Sequence, residues 1–174
     1  MVKNIIPLAA AAVAAAILVT SGAGASPPPS GVSGLDQHYL QAAASGDVFE
    51  VEGGRLALQK SHDKRTRALA QMLMTDHTKS LHDTLALAKK LGVQGVQEQP
   101  TQAQAWELKA LAAMKSTGQF NHWYALLEVR DHKDDISDAT EERDNGSNQE
   151  VRDAARTELP ILLKHLKASE KASK

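Results

Sequence analysis

The stretch QMLMTDHTKSLHDTL, residues 71 to 85, has the apolar periodicity of a long amphipathic helix. Each helical residue advances by about 100°, so His77 projects toward the centre of the side that carries the leucines of this segment. His82 lies on the opposite side. The stretch therefore predicts a helix with one inward histidine, His77, which either binds a ligand or is hydrogen-bonded within the core.

The rest of the chain also reads as helix. From Leu35 onward, Ala, Leu, Lys, Glu and Gln recur at helical spacing, and no run alternates β-branched with polar residues. Glycine, proline and asparagine signals divide the chain into five predicted helices, at about 36–60, 64–91, 101–116, 119–143 and 148–172. Two hairpins of long helices, with the short third helix between them, predict an all-α fold: a ferritin-like four-helix bundle with a short extra helix in the crossover.

The first 25 residues have the three parts of a secretory signal. MVK is a positively charged start, IIPLAAAAVAAAILV is an apolar run, and TSGAGA is a small-residue end suited to signal peptidase. The run is shorter than the roughly 20 residues that a spanning helix needs. We therefore expect a signal peptide at 1–25, a Pro/Ser/Gly tether at 26–34 and a helical domain at 35–172. The location would be periplasmic or otherwise exported, with no stable membrane span after cleavage.

Composition limits the classes of function and partner. The chain has 20 basic residues, one of which belongs to the predicted signal, and 21 acidic residues. This balance gives no electrostatic reason to expect nucleic acid as a partner, and the partner is otherwise unknown from the sequence. The absence of cysteine excludes disulfides, thiol chemistry and a lipoprotein anchor. A Gly-x-Ser-x-Gly elbow and a phosphate-binding glycine loop are also missing, so the sequence favours a protein that is not an enzyme.

Two further helices carry polar residues that face inward. In the first helix, Glu50 lies in the middle of a face of small residues that another helix can approach closely. A carboxylate in such a place is costly unless it is paired or hydrogen-bonded. In the last helix, His165 flanks the apolar stripe. In the fourth helix, Glu128, Asp131, His132 and Asp135 share one side. The nearby aromatic residues Phe120 and Tyr124 leave open that part of this group turns toward the core, but we expect the side to be solvated, as charge runs at helical spacing usually are.

Three segments carry a resemblance to a known family. FEVEGGRLAL, LAQMLMTDHTK and ELPILLKHL, in this order and spacing, resemble the signature segments of the bacterial family called domain of unknown function 4142. Members of that family are exported, ferritin-like helical proteins without an established biochemical role, so the resemblance implies a fold and export but no activity. The acidic segment RDHKDDISDATEERD is more polar than the family's usual fourth helix. The family's pattern falls on Glu50, Asp76, His77, Leu159, Pro160 and His165.

These residues allow two interpretations. The one that the sequence favours is a buried polar network, in which Glu50 accepts hydrogen bonds from His77 and His165 within a non-catalytic structural or binding protein of the envelope. The alternative is a mononuclear divalent-metal site made by Glu50, His77 and His165, with Asp76 as a further candidate, because imidazole and carboxylate suit zinc, iron or copper. A di-iron centre is not expected, since none of the seven histidines follows a carboxylate at the Glu-x-x-His spacing.

Overall fold

The computed structural model of the protein describes residues 31–174, and this part of the chain is helical, without a β-strand. Its helices are α1 (Gly34–Lys60), α2 (Lys64–Lys90), α3 (Gln102–Ala113), α4 (Thr117–Asn145) and α5 (Gln149–Ala172). The prediction of an all-α fold is confirmed, while the predicted signal peptide lies outside the described residues. None of the helices in the described part combines the length and the apolarity that a membrane crossing requires.

Each helix begins at a side chain that caps it. The capping oxygens accept hydrogen bonds from backbone N–H groups of the first turn and belong to Ser33, Asp63, Thr101, Ser116 and Asn148. Ser33 and Asp36 form a reciprocal capping box, and Val32 is buried just before it. The folded part therefore begins within the segment 26–34 that the sequence predicts as a tether. Gly92, which follows the end of α2, has a φ of 70°.

The four long helices pack around two apolar clusters at opposite ends of the described part. α1 packs most closely against α2, and α4 against α5, while α1 also contacts α4 and α2 contacts α5. One cluster surrounds Leu40 and Val151, and the other surrounds Leu73 and Phe120. Because the second cluster holds the first halves of both α2 and α4, the connection through α3 carries the chain back along the length of the fold. α3 adds Leu111 to that second cluster.

A polar layer crosses the middle of the four long helices, between the two apolar clusters. Its most buried members are at most 6 % exposed, and they are Asp47, Glu50, His77, Glu128, Asp131, His132 and His165. Such burial is costly unless the groups are paired with one another or with an ion. The expectation that the acidic side of α4 is solvated is wrong, because this side forms part of the layer.

Glycines on α1 explain how acidic residues of α4 come to be buried. A Cβ added at Gly46 would lie 3.4 Å from Oδ1 of Asp135, and one added at Gly53 would lie 3.4 Å from Oε1 of Glu128. Glu50 stands between these glycines along α1. The small-residue face of α1 therefore receives the carboxylates of α4.

Candidate metal centre

Three buried imidazole rings meet in the polar layer, each from a different helix. The ring centroids are 5.0 Å apart for His77 and His165, 5.3 Å for His132 and His165, and 5.6 Å for His77 and His132. One ring nitrogen of each histidine lies within 4.8 Å of those of the other two. The remaining histidines of the chain are exposed, and they are His38, His62, His82 and His122.

Two of these rings are held at one nitrogen by an oxygen that accepts a hydrogen bond. Nδ1 of His132 donates to the carbonyl oxygen of Glu128 at 2.8 Å, and Nε2 of His165 donates to Oδ2 of Asp76 at 2.8 Å. The other nitrogens, Nε2 of His132 and Nδ1 of His165, are buried and have no hydrogen-bond partner among residues 31–174. Each of these rings therefore offers a free lone pair to the interior.

His77 is held in the same way by a carboxylate. Its Nδ1 lies 2.7 Å from Oδ1 of Asp47, and its Nε2 is buried without a hydrogen-bond partner in the described part of the chain. If Nε2 of His77 binds a cation, the proton of the ring is on Nδ1, and Nδ1 donates a hydrogen bond to the ionised carboxylate of Asp47. A carboxylate or carbonyl behind the ring is the usual companion of a histidine that binds a metal, because it fixes the tautomer and the orientation of the ring.

The three rings are neutral at physiological pH. Burial lowers the pKa of His77 to about 4, that of His132 to about 3 and that of His165 to about 4. Neutral imidazole is the form that coordinates a metal, so protons do not compete for these nitrogens near pH 7.

Carboxylates lie against the histidines on the side of α1 and α4. Oε1 of Glu50 is 3.3 Å from Nδ1 of His132, and Oε2 of Glu50 is 4.0 Å from Nε2 of His77. Neither oxygen of Glu50 has a hydrogen-bond partner within the part that the structure describes. Burial, followed by the neighbouring charge of Glu128, raises the pKa of Glu50 well above its usual range.

The structure brings the predicted residues together, but with different hydrogen bonds. Glu50, His77 and His165 all lie in the polar layer. His165 bonds to Asp76 and His77 to Asp47, so Glu50 does not accept from either ring as the predicted network requires. Asp76 is partly exposed and stands behind His165, where it orients the ring and is not a free ligand.

Several residues of the centre were not predicted from the sequence. His132 completes the group of three histidines, and it repeats in α4 the Asp-His dipeptide that contains His77 in α2. His132 lies on the same side of α4 as Phe120 and Tyr124, and this position indicates that it is buried. The unpredicted carboxylates are Asp47, Glu128, Asp131 and Asp135.

A groove between α2 and α5 reaches the histidines from the surface. Its volume is about 390 Å³, and its lining includes His77 and His165 together with Asp76 and Glu158. The site is therefore buried within the fold but connected to solvent on one side.

Comparison with known proteins identifies a family and a similar fold. The sequence matches the family model described as domain of unknown function (DUF4142) over residues 21–172. None of the curated proteins matches the chain. Among solved structures, the fold is similar to the crystal structure of a DUF305 fragment from Deinococcus radiodurans, with a TM-score of 0.71 and 16% identity, over 84% of this chain and 98% of that chain. At that identity the likeness concerns the fold alone.

Proposed function

We propose that this chain, which belongs to the DUF4142 family, is an exported, ferritin-like four-helix bundle that binds a divalent transition-metal ion. The ligands are His77, His132 and His165, and the unpartnered carboxylate oxygens of Glu50 lie within 4.0 Å of ring nitrogens of His77 and His132. One observation carries the proposal: three buried rings from three helices are each held at one nitrogen and each direct the other, unpartnered nitrogen into the polar layer of residues 31–174. This is the arrangement that metal-binding histidines require.

The same observation argues against a purely structural network. Buried polar atoms in such a network satisfy one another, and each one left unpaired costs about 1–3 kcal/mol. Here the free ring nitrogens and both oxygens of Glu50 have no partner within residues 31–174. A bound cation would satisfy these atoms together. The metal interpretation, which the sequence placed second, is therefore the better account of the site.

The donor set indicates the class of ion. Imidazole nitrogens with a carboxylate suit zinc, copper, iron or cobalt better than magnesium or calcium. The Glu-x-x-His pairs of di-iron proteins are not present in the sequence. We therefore assign the histidines to one transition-metal ion, which enters through the groove between α2 and α5.

Export is proposed from the anatomy of residues 1–25. The expected mature N-terminus is Ser26. Intact-mass measurement on periplasmic material tests this, and retention of residues 1–25 would contradict it.

Metal binding is tested on the untagged protein after treatment with a chelator. Zn²⁺, Cu²⁺ or Co²⁺ should raise the melting temperature by mass action, since an ion at 100 times its Kd stabilises the folded state by about 2.7 kcal/mol. His77→Ala should lose this gain. The matched control is His82→Ala, which changes an exposed histidine of the same helix and should keep the gain. Equal thermal shifts in the two variants would overturn the proposal.

A further inference from the structure

Next to the histidines, α1 and α4 enclose a second group of ligand atoms, all of them oxygens. We propose that Glu50, Glu128, Asp131 and Asp135 hold a second divalent cation, of the oxygen-preferring class to which Mn²⁺ belongs. This inference rests on the proposed function in one respect, because it makes Glu50 the residue shared by two neighbouring ions.

The positions of the oxygens of Glu50, Asp131 and Asp135 fit one ion, and Glu128 lies next to Glu50. Single oxygens of Glu50, Asp131 and Asp135 all lie within 4.8 Å of one another. Oxygens bound to one cation at about 2.0–2.6 Å can be at most about 5 Å apart, so the group needs little movement to coordinate it. Ligand atoms of Glu50, Glu128 and His132 form a second such set, which connects the acidic group to the histidines.

Buried oxygens of this group lack partners. Glu50 is 0 % and Glu128 1 % exposed, and both oxygens of Glu50, Oε2 of Glu128 and Oδ2 of Asp131 have no hydrogen-bond partner within residues 31–174. Tyr124 borders the group, because its ring lies beside Glu128 and its hydroxyl is fully buried. An acidic group on the surface would be satisfied by water, whereas these atoms face the interior.

No lysine or arginine side chain of residues 31–174 is ion-paired with this acidic group. Arg130 of α4 pairs instead at 2.7 Å with Glu107 on α3. When ionised, four carboxylates carry four negative charges, which two divalent ions neutralise. Without an ion, burial keeps some of them protonated, and it raises the pKa of Glu128 to about 8.

The two neighbouring sites should differ in the metal that they prefer. Carboxylate oxygens without sulfur or additional imidazole suit Mn²⁺, Mg²⁺ or Ca²⁺, whereas the three imidazoles suit zinc or copper. The geometry therefore points to a pair of unlike ions rather than to a symmetric centre.

The experiment uses the untagged, chelator-treated protein loaded first with one equivalent of Zn²⁺ and then titrated with Mn²⁺. Equilibrium dialysis should show one bound Mn²⁺ per chain in addition to the Zn²⁺, and the electron paramagnetic resonance signal of free Mn²⁺ should fall accordingly. The double variant Asp131→Asn/Asp135→Asn should lose Mn²⁺ and keep Zn²⁺. Asp134→Asn, a change at an exposed carboxylate of the same helix, should keep both ions.

The outcomes separate this inference from the proposed function. Binding of Zn²⁺ without Mn²⁺ would overturn the inference and leave the histidine site intact, whereas binding of neither ion would overturn both. Mn²⁺ binding that survives in the double variant, or that is lost equally in Asp134→Asn, would also overturn it. When both proteins are free of metal, the double variant should melt no lower than the wild type, because the asparagines remove repulsion between buried charges. Glu128→Gln provides a second test and should also lose Mn²⁺.

Discussion

Nδ1 of His132 lies 2.8 Å from the carbonyl oxygen of Glu128, one helical turn earlier in α4. A carbonyl oxygen only accepts, so this contact fixes the proton on Nδ1 and leaves the lone pair on Nε2. The backbone of Glu128 thus orients a histidine of one proposed site, while its side chain belongs to the neighbouring one. A single turn of α4 connects the two.

Replacement of His132 should remove metal binding at the histidines. His132→Ala takes away one of three nitrogen ligands, so the rise in melting temperature with Zn²⁺ should disappear, and the cavity should cost about 2 kcal/mol or more in the metal-free protein. Thermal denaturation with and without Zn²⁺ measures both effects. His122→Ala is the control, since His122 is exposed on the same helix. A shift of wild-type size in His132→Ala would contradict the assignment.

Asp76 should affect affinity through His165. Its carboxylate accepts the hydrogen bond from Nε2 and so keeps Nδ1 free for a metal. Loss of such a supporting group lowers metal affinity about 10–100-fold, and we expect a decrease in this range for Asp76→Ala. Competition with a chromophoric chelator measures the Kd. Asp83→Ala, at an exposed position of the same helix, should leave the Kd unchanged, and an equal loss in both variants would exclude a specific role for Asp76.

The stability of the metal-free protein should fall as pH rises from about 6.5 to about 8. Burial raises the pKa of Glu128 to about 8, and burial beside Asp36 raises that of Glu142 to about 8. A glutamate of the unfolded chain ionises near pH 4.3, so between these values the folded state binds more protons and loses stability with each rise in pH. The buried histidines act in the opposite direction, because their pKa values are lowered, but only below about pH 6.5.

Urea denaturation across this pH range measures the effect. Glu128→Gln should make the decline shallower without abolishing it, since Glu142 still titrates. Saturation with the metals should also reduce the decline, because bound cations favour ionised carboxylates. Stability of the metal-free protein that rises between pH 6.5 and 8 would contradict the prediction.

The close contact of α1 with α2 should make Gly54 sensitive to substitution. A Cβ at this position would lie 2.5 Å from Cγ of Met74 and 3.1 Å from the carbonyl oxygen of Ala70. Crowding of this kind costs about 1–3 kcal/mol, which chemical denaturation of Gly54→Ala should show. Gly118→Ala is the control, because the nearest atom to its Cβ is 3.9 Å away and alanine is the better helix former. A Gly54→Ala variant as stable as the wild type would exclude close packing at this contact.

The helices could be predicted because their signals are local. Capping residues and apolar periodicity lie within each segment, and the capped starts of the five helices lie close to the predicted ones. The inward positions of His77 and Glu50 followed from the same periodicity, since a polar residue in an apolar or small-residue stripe has only one side to occupy.

The rest of the site could not be predicted because it depends on which helices pair. The spacing of Glu128, Asp131 and His132 is the same whether their side of α4 meets water or another helix. What decides their burial is the position of Gly46 and Gly53 on α1, opposite them in space but far away in the chain. The hydrogen bond between His77 and Asp47 also joins two helices, and no pattern within either helix indicates it.

The polar layer between the two apolar clusters has a consequence for amide hydrogen exchange. Helices usually open from their ends, so that their central amides exchange most slowly. In this fold the apolar contacts are concentrated toward both ends, and the centre contains buried carboxylates and imidazoles. Without a cation, the amides near Glu50 and His132 should therefore exchange faster than those near Leu40 and Phe120, and a bound ion would restore the usual order.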